Sequence, residues 1–145
     1  MSLRSISLAG YFILVVALVA LVWQGYLLGS GPVSFFIQGL AIVLMIWSRM
    51  TFGKRSFHAG ADATEGGLVT TGPYAWIRHP IYASILYFLW AGVFSHPAME
   101  SFLLGILATG GISLRIVSEE QLLVTRYSGY TAYAAGTKRL IPFLL

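Results

Sequence analysis

Two short groups of polar residues stand out in a chain that carries few charges. Arg115 and Glu119 are four residues apart, so on a helix they share one face, where a guanidinium and a carboxylate can pair. Arg78-His79-Pro80 directly precedes an apolar run. Charged groups at membrane depth are costly and usually face the interior of a helix bundle, where they form a site. Arg115 and Glu119 therefore indicate either such a site or a cap of charge where an apolar helix meets water.

The Arg78-His79-Pro80 segment has the residue types of a site for a small anion. Pro80 suits the first turn of a helix, which places His79 at the start of that helix. Helix starts present unpaired N–H groups and a partial positive charge, which favour a carboxylate or phosphate, and Arg78 would add a planar fork of donors. Tyr82 and Tyr87 fall on a similar side of the helix. The alternative is that these side chains only anchor the helix at the membrane surface.

The elements that must position these residues are membrane-spanning helices. Of the 145 residues, 57% are hydrophobic and 10% are charged, whereas a soluble domain carries about 25% charged residues. A spanning helix needs about 20 mostly apolar residues. Four apolar runs predict spans at about 6–28, 32–48, 80–95 and 101–117. We therefore predict an all-α fold, a polytopic membrane helical bundle of about four transmembrane helices in a single domain, residues 1–145.

The residues after the fourth span predict a further helix, outside the membrane core. Bulky apolar and aromatic residues recur there every three or four positions: Leu122, Leu123, Tyr127, Tyr130 and Tyr133. This pattern is typical of a helix that lies at the membrane surface, where aromatic rings prefer the interface. We therefore predict a C-terminal interfacial helix and tail over residues 118–145.

The distribution of positive charge predicts the orientation of the bundle. If the N-terminus is cytoplasmic, all nine basic residues fall on the cytoplasmic side: Arg4, Arg49, Lys54, Arg55, Arg78, Arg115, Arg126, Lys138 and Arg139. The two opposite loops, "GSGP" and "SHPAME", contain no Lys or Arg. Because positively charged loops stay in the cytoplasm, we predict that both termini, the 49–79 loop and the site face that side. In a prokaryote the membrane would be the inner or plasma membrane.

Several classes of function do not fit this sequence. The chain has no cysteine, so thiolate metal sites and disulfides are excluded. His58 and His96 lie on opposite sides in the predicted topology and cannot join His79, so we expect no metal. The net charge is +4, but no Lys/Arg-rich run is present, so we expect no nucleic-acid partner.

Three motifs in the C-terminal half resemble those of one enzyme family. "LVTTGPYAWIRHPIYAS", "RIVSEEQLL" and "YSGYTAYAAGTKRLIPF", within residues 68–143, resemble the isoprenylcysteine carboxyl methyltransferases and their phospholipid methyltransferase relatives. The resemblance implies an integral membrane enzyme that transfers a methyl group from S-adenosyl-L-methionine and releases S-adenosyl-L-homocysteine. The implied acceptor is lipidic or membrane-embedded, such as an isoprenylcysteine-type carboxylate or a lipid head group.

The same resemblance implies roles for individual residues. The implied cofactor-binding residues are His79, Pro80, Ile81, Tyr82, Tyr87, Glu119 and Glu120. Arg115 and Glu119 would be catalytic. Arg115 would also face the substrate, together with Arg78, because a guanidinium suits a carboxylate.

Two other functions remain open at this point. Sterol-reductase-like NADPH enzymes share a similar Gly-Pro, Arg-His-Pro and Tyr pattern. Their pattern resembles His-Pro-Asn-Tyr, however, and in this chain Ile81 stands at the Asn position. A non-catalytic small membrane protein, in which the charges only set topology, is the other alternative.

Overall fold

The computed structural model describes residues 2–53 and 67–143. Its regular elements are five α-helices and one 3-10 turn: α1 Leu3–Trp23, α2 Pro32–Phe52, the turn Gly72–Ala75, α3 Pro80–Ser95, α4 Met99–Arg126 and α5 Tyr130–Gly136. In the described part of the chain, α1, α2 and α4 are long and apolar enough to cross a membrane, and α3 is a shorter apolar helix. The predicted all-α membrane bundle is confirmed. Part of the predicted 49–79 loop, with Lys54, Arg55 and His58, lies outside the described residues.

The first helix ends earlier than the apolar run that predicted it. The run extends over 6–28, whereas α1 covers Leu3–Trp23. At its start the Ser2 side chain accepts a hydrogen bond from the Ser5 N–H at 3.1 Å. At its end Gly25 has a φ of 72°, and the Tyr26 N–H bonds back to the Leu21 carbonyl at 2.8 Å. A left-handed glycine with this bond is a helix C-cap, which hydrophobicity alone does not reveal.

Proline residues mark the starts of the second and third helices. α2 begins at Pro32 and continues through Phe52, beyond the predicted end at 48, until Gly53 with a φ of 72°. α3 covers Pro80–Ser95, the range predicted from the sequence. Its 16 residues rise about 24 Å, less than the hydrocarbon core of about 30 Å. A short helix of this kind brings its polar start, at His79, close to the membrane core.

The fourth helix continues through the point where a separate surface helix was predicted. The prediction ended the span at 117 and began a new helix at 118, but α4 runs unbroken over Met99–Arg126. No Gly or Pro interrupts residues 112–126, so the backbone hydrogen bonds continue. The turn comes at Ser128 and Gly129, residue types that favour turns, and α5 follows. Arg115 and Glu119 therefore lie on one continuous helix.

The core lies between α1, α3 and α4. Its buried residues are Leu14, Ala17 and Leu21 of α1, Leu86, Leu89 and Val93 of α3, and Ala108, Ile112 and Ile116 of α4. α1 and α4 touch backbone to backbone at Gly10 and Gly111, a contact named here the α1–α4 seam. A Cβ on Gly111 would lie 2.7 Å from the Gly10 carbonyl oxygen and 2.9 Å from the Leu14 nitrogen. Small residues allow this close approach of membrane helices.

α2 packs on α3, and a buried amide ties both to the loop after α1. Gln38 Oε1 accepts from the Gly29 N–H at 3.1 Å. Its Nε2 donates to the carbonyls of Leu27, at 2.9 Å, and Phe88, at 3.1 Å. Backbone groups inside a membrane protein need such partners because lipid supplies none.

Candidate active site

The start of α3 and the second half of α4 bring three polar side chains together. Arg115 is 4% exposed, and its Nε donates to the Tyr82 hydroxyl oxygen at 2.8 Å. Its Nη2 lies 3.3 Å from Glu119 Oε1, which is the pairing that their four-residue spacing predicts. The Tyr82 hydroxyl in turn donates to Glu119 Oε1. Arg115, Tyr82 and Glu119 therefore form one hydrogen-bonded cluster across two helices.

His79 lies between two carboxylates. Its Nδ1 is 3.9 Å from Glu119 Oε2, and its Nε2 is 3.4 Å from Glu120 Oε1. The ring stacks on Tyr82 with 5.8 Å between centroids, and the residue is buried. The imidazole at the start of α3 and the carboxylates of α4 thus face each other, as the site hypothesis requires.

Glu119 and Glu120 are neighbours in sequence but face different partners. Glu120 Oε1 accepts from Arg78 Nε at 2.9 Å. Its Oε2 accepts from Arg139 Nε at 2.9 Å and lies 2.7 Å from Arg139 Nη2. This carboxylate raises the pKa of Arg139, which favours the charged guanidinium. Consecutive helical residues point about 100° apart, which explains why Glu119 turns to Arg115 while Glu120 turns to the C-terminal residues.

Residues 137–140, named here the C-terminal strap, lie alongside the segment that precedes α3. The Arg78 N–H donates to the Lys138 carbonyl at 2.7 Å, and the His79 N–H donates to the Arg139 carbonyl at 3.0 Å. The Lys138 N–H donates to the Trp76 carbonyl at 3.1 Å. These bonds accompany an isolated parallel β-bridge between Ile77 and Lys138. The strap therefore holds the backbone of residues 76–79, and with it the position of His79.

Side chains also hold the strap and the helix before it. Arg78 Nη1 donates to the carbonyls of Ala134, at 2.8 Å, and Thr137. The Tyr87 hydroxyl donates to the Leu140 carbonyl at 2.6 Å. Both Arg78 and Tyr87 were predicted to bind ligands. In the structure Tyr87 bonds to the strap, and Arg78 bonds to Glu120 as well as to α5 and the strap.

α5 is attached to the turn before α3 by a half-buried tyrosine. The Tyr133 hydroxyl donates to the Tyr74 carbonyl at 2.6 Å. The hydroxyl is protonated at neutral pH and able to donate, and burial raises the pKa of Tyr133 further, to about 12. The bond keeps α5 close to the Arg-His-Pro segment.

α1 contributes to the site two residues that the sequence reasoning missed. The Tyr11 ring lies 5.3 Å from Arg115 Cζ, and the Tyr82 ring lies 5.6 Å from the same atom. A guanidinium near aromatic faces gains cation–π attraction. Arg115 Nη1 also lies 3.5 Å from the Ser7 carbonyl oxygen. The four-residue spacing of Ser7 and Tyr11 was a signal in the sequence, but it lay inside an apolar run that was interpreted as a plain span.

The structure brings most of the predicted site residues together. His79, Tyr82, Arg115, Glu119 and Glu120 form one connected polar cluster, described above. Pro80 is buried and Ile81 is half-buried, and both belong to the first turn of α3, beside His79. Within residues 2–53 and 67–143, no group of three His, Asp or Glu side chains has the arrangement of a metal site. The cluster combines a guanidinium, an imidazole and two carboxylates, a set that suits a ligand carrying both signs of charge.

Comparison with known proteins identifies the family. The model of the isoprenylcysteine carboxyl methyltransferase (ICMT) family matches residues 32–125. No curated protein and no solved structure matches the chain. The matched range begins at α2, ends within one residue of the end of α4, and includes the whole polar cluster, but not Arg139 or the α1 residues. Because the match covers more than half of the 145 residues, the chain belongs to the isoprenylcysteine carboxyl methyltransferase family of membrane methyltransferases.

Proposed function

We propose that this protein uses S-adenosylmethionine to methylate a lipidic or membrane-embedded acceptor, either an isoprenylcysteine-type carboxylate or a lipid head group. The observation that carries the proposal is the convergence of His79, Glu119 and Glu120 beside a buried Arg115. A bundle that needed charge only to set topology would have no reason to bury a guanidinium in a hydrogen-bonded cluster. Family membership supplies the reaction class.

The residues present fit the cofactor by their chemistry. S-adenosylmethionine carries an α-carboxylate together with an ammonium and a sulfonium group. The first turn of α3, which contains Ile81 and Tyr82, offers backbone N–H donors of the kind that favour a carboxylate. The Glu119 carboxylate, whose side chain is 21% exposed, offers a counterion for a cationic group. We assign cofactor binding to these residues together with His79.

The chemistry needs alignment more than acid or base. When bound, S-adenosylmethionine would supply an activated methyl group, and an acceptor carboxylate, already ionised, would need no base to receive it. Arg115 orients the acceptor carboxylate, and Tyr82 holds the guanidinium in place through their 2.8 Å bond. Exclusion of water by the surrounding helices strengthens these polar contacts.

An apolar cavity supports a lipidic acceptor. It has a volume of about 270 Å³ and lies between α1, α2 and α3. Its lining is almost entirely apolar and includes Met45, Ile85 and Phe88. Ile85, one of the lining residues, follows Tyr82 by three residues on α3, so these two side chains lie on a similar side of the helix. The hydrocarbon part of an acceptor would suit this space while its polar group meets Arg115.

The cofactor assignment can be tested by calorimetry on the protein purified in detergent. Wild type should bind S-adenosylhomocysteine with micromolar affinity and should not bind NADPH. Glu119→Gln should raise the Kd about tenfold or more, because a charge-assisted contact is worth about 1.5–3 kcal/mol. Glu100→Gln, on an exposed side chain in the first turn of α4, is the matched control and should bind as wild type.

Other outcomes identify the competing functions. Binding of NADPH alone would support a reductase, and binding of neither ligand would support a non-catalytic protein. If Glu119→Gln binds the product as tightly as wild type, the residue assignment is wrong. If wild type binds S-adenosylhomocysteine, incubating it with lipid extracts and the radiolabelled cofactor would identify the acceptor class from the labelled product.

The proposal places the site and both termini on the cytoplasmic side, following the distribution of Lys and Arg. The chain contains no cysteine, which gives a clean background for labelling. A cysteine at position 126 should react from the cytoplasmic side and a cysteine at position 97 from the other side; the reverse result would overturn the orientation.

A further inference from the structure

One buried serine differs from all the others in the described part of the chain. Five serines are buried there: Ser7, Ser48, Ser84, Ser101 and Ser118. The last four each donate to a backbone carbonyl one helical turn back, at 2.6 to 2.8 Å. The Ser7 hydroxyl is fully buried and has no hydrogen-bond partner.

An unpartnered hydroxyl at this position destabilises the free protein. A polar group buried away from water loses its hydration without a replacement bond, and buried polar groups in native proteins are nearly always paired. Alanine would fill the same place without this cost. Residues that lower stability in this way are characteristic of functional sites, where a ligand supplies the missing partner.

Ser7 borders the guanidinium of the candidate site. Its carbonyl oxygen lies 3.5 Å from Arg115 Nη1. One turn further along α1, the Tyr11 ring lies 5.3 Å from Arg115 Cζ, and a Cβ on Gly10 would lie 3.2 Å from Arg115 Cγ. This face of α1 therefore packs against one side of Arg115. α1 lies before residues 32–125, the part of the chain that matches the family model.

We propose that Ser7 is a specificity-determining residue, whose hydroxyl donates a hydrogen bond to the carboxylate of a lipid-linked methyl acceptor beside Arg115. The inference rests on the proposed function and names the acceptor class within it. A hydroxyl donor next to a guanidinium favours a negatively charged oxygen. A cationic amine head group would be repelled by Arg115 and would leave the hydroxyl proton without an acceptor.

The test measures acceptor binding to the wild type, Ser7→Ala and Ser118→Ala proteins, each in detergent with saturating S-adenosylhomocysteine. The probe is S-farnesyl-N-acetylcysteine, which carries a free carboxylate, and its carboxamide is the neutral counterpart. Ser7→Ala should raise the Kd of the carboxylate about tenfold, and leave the affinity for S-adenosylhomocysteine and the weaker carboxamide binding unchanged. Its melting temperature should equal or exceed that of wild type, because an unpaired hydroxyl is lost. Ser118→Ala is the matched control, a buried serine with a bonded hydroxyl, and should bind both probes as wild type.

Each contrary result has a separate meaning. If Ser7→Ala binds the carboxylate as wild type, or if wild type binds S-adenosylhomocysteine but not the carboxylate, the inference about Ser7 is overturned and the cofactor assignment stands. A lower melting temperature of Ser7→Ala with unchanged acceptor affinity would show that the hydroxyl is structural. If wild type does not bind S-adenosylhomocysteine, the proposed function itself fails.

Discussion

The α1–α4 seam and the C-terminal strap both border the polar cluster, but they are built differently. In the seam the backbones of two long helices touch at Gly10 and Gly111, so no side chain can adjust to relieve a clash. In the strap, contact depends on backbone hydrogen bonds to residues 76–79 and on bonds from side chains such as Arg78 and Tyr87. Arg139, which joins the strap to Glu120, has a side chain that is 54% exposed.

This difference indicates which part of the site can open. Close-packed backbones have few alternative arrangements, so a change in the seam affects the whole bundle. Partly exposed polar contacts exchange with water at little cost, and regions of this kind open locally without global unfolding. We therefore expect the seam to hold Arg115 in place, while the strap opens to admit and release a ligand near His79.

The largest expected effect comes from breaking the seam. Gly111→Val would place side-chain carbons against the Gly10 carbonyl and the Leu14 nitrogen, both of which are backbone atoms. We expect a loss of about 3 kcal/mol in the free energy of unfolding, or failure to fold, because overpacking at this contact cannot be relieved. Thermal unfolding in detergent, followed by the fluorescence of the four tryptophans, measures the loss.

The neighbouring glycine is the control for this change. A Cβ on Gly110 would have open space around it, so Gly110→Val adds the same side chain one residue away without a clash. It should unfold near the wild-type temperature. Equal destabilisation by both variants would mean that helix propensity, and not the seam, sets the effect.

A smaller and more local effect is expected at the strap from Glu120→Gln. The substitution removes the charge that Arg78 and Arg139 share but keeps an amide oxygen that can accept from both, and the Arg139 side chain is 54% exposed, so we expect opening of the strap to become easier by about 1.4 kcal/mol. Tryptic cleavage after Arg139 should become about tenfold faster, because cleavage follows the population of the open form. Mass spectrometry of the released C-terminal peptide gives the rate.

Glu100→Gln serves as the control, since its carboxylate lies near the other end of α4, 3.5 Å from the Tyr26 hydroxyl. In Glu100→Gln, trypsin should cleave the strap at the wild-type rate. If Glu120→Gln instead unfolds the bundle as completely as Gly111→Val, the strap and the seam are one cooperative unit and the contrast drawn here is wrong.

The smallest expected effect comes from Tyr87→Phe. This change removes one neutral hydrogen bond to the Leu140 carbonyl, worth about 1 kcal/mol, and keeps the ring. Tryptic cleavage of the strap should accelerate about fivefold. Tyr26→Phe, which removes a hydroxyl far from the strap, should leave the rate unchanged, and an unchanged rate in Tyr87→Phe would show that this bond does not hold the strap.

The accuracy of the sequence predictions depended on how far apart the interacting residues are. The pairing of Arg115 with Glu119 and the helix start at Pro80 follow from neighbours within a few residues, and both are present in the structure. The predicted division of α4 near residue 118 was wrong because a change in polarity does not by itself end a helix. The ligand-binding roles of individual residues stay predictions until the binding experiments are done.

Composition and local spacing alone determined that this is a helical membrane protein with an Arg–Glu pair on one helix face. These properties depend on hydrophobicity and on the pitch of a single helix, which a sequence states directly. Only the tertiary structure decided that α1 packs on α4, that Ser7 and Tyr11 surround Arg115, and that Arg78 holds the strap. The choice of neighbour depends on which surfaces fit closely across the whole bundle, and the periodicity of one helix carries no information about its partner.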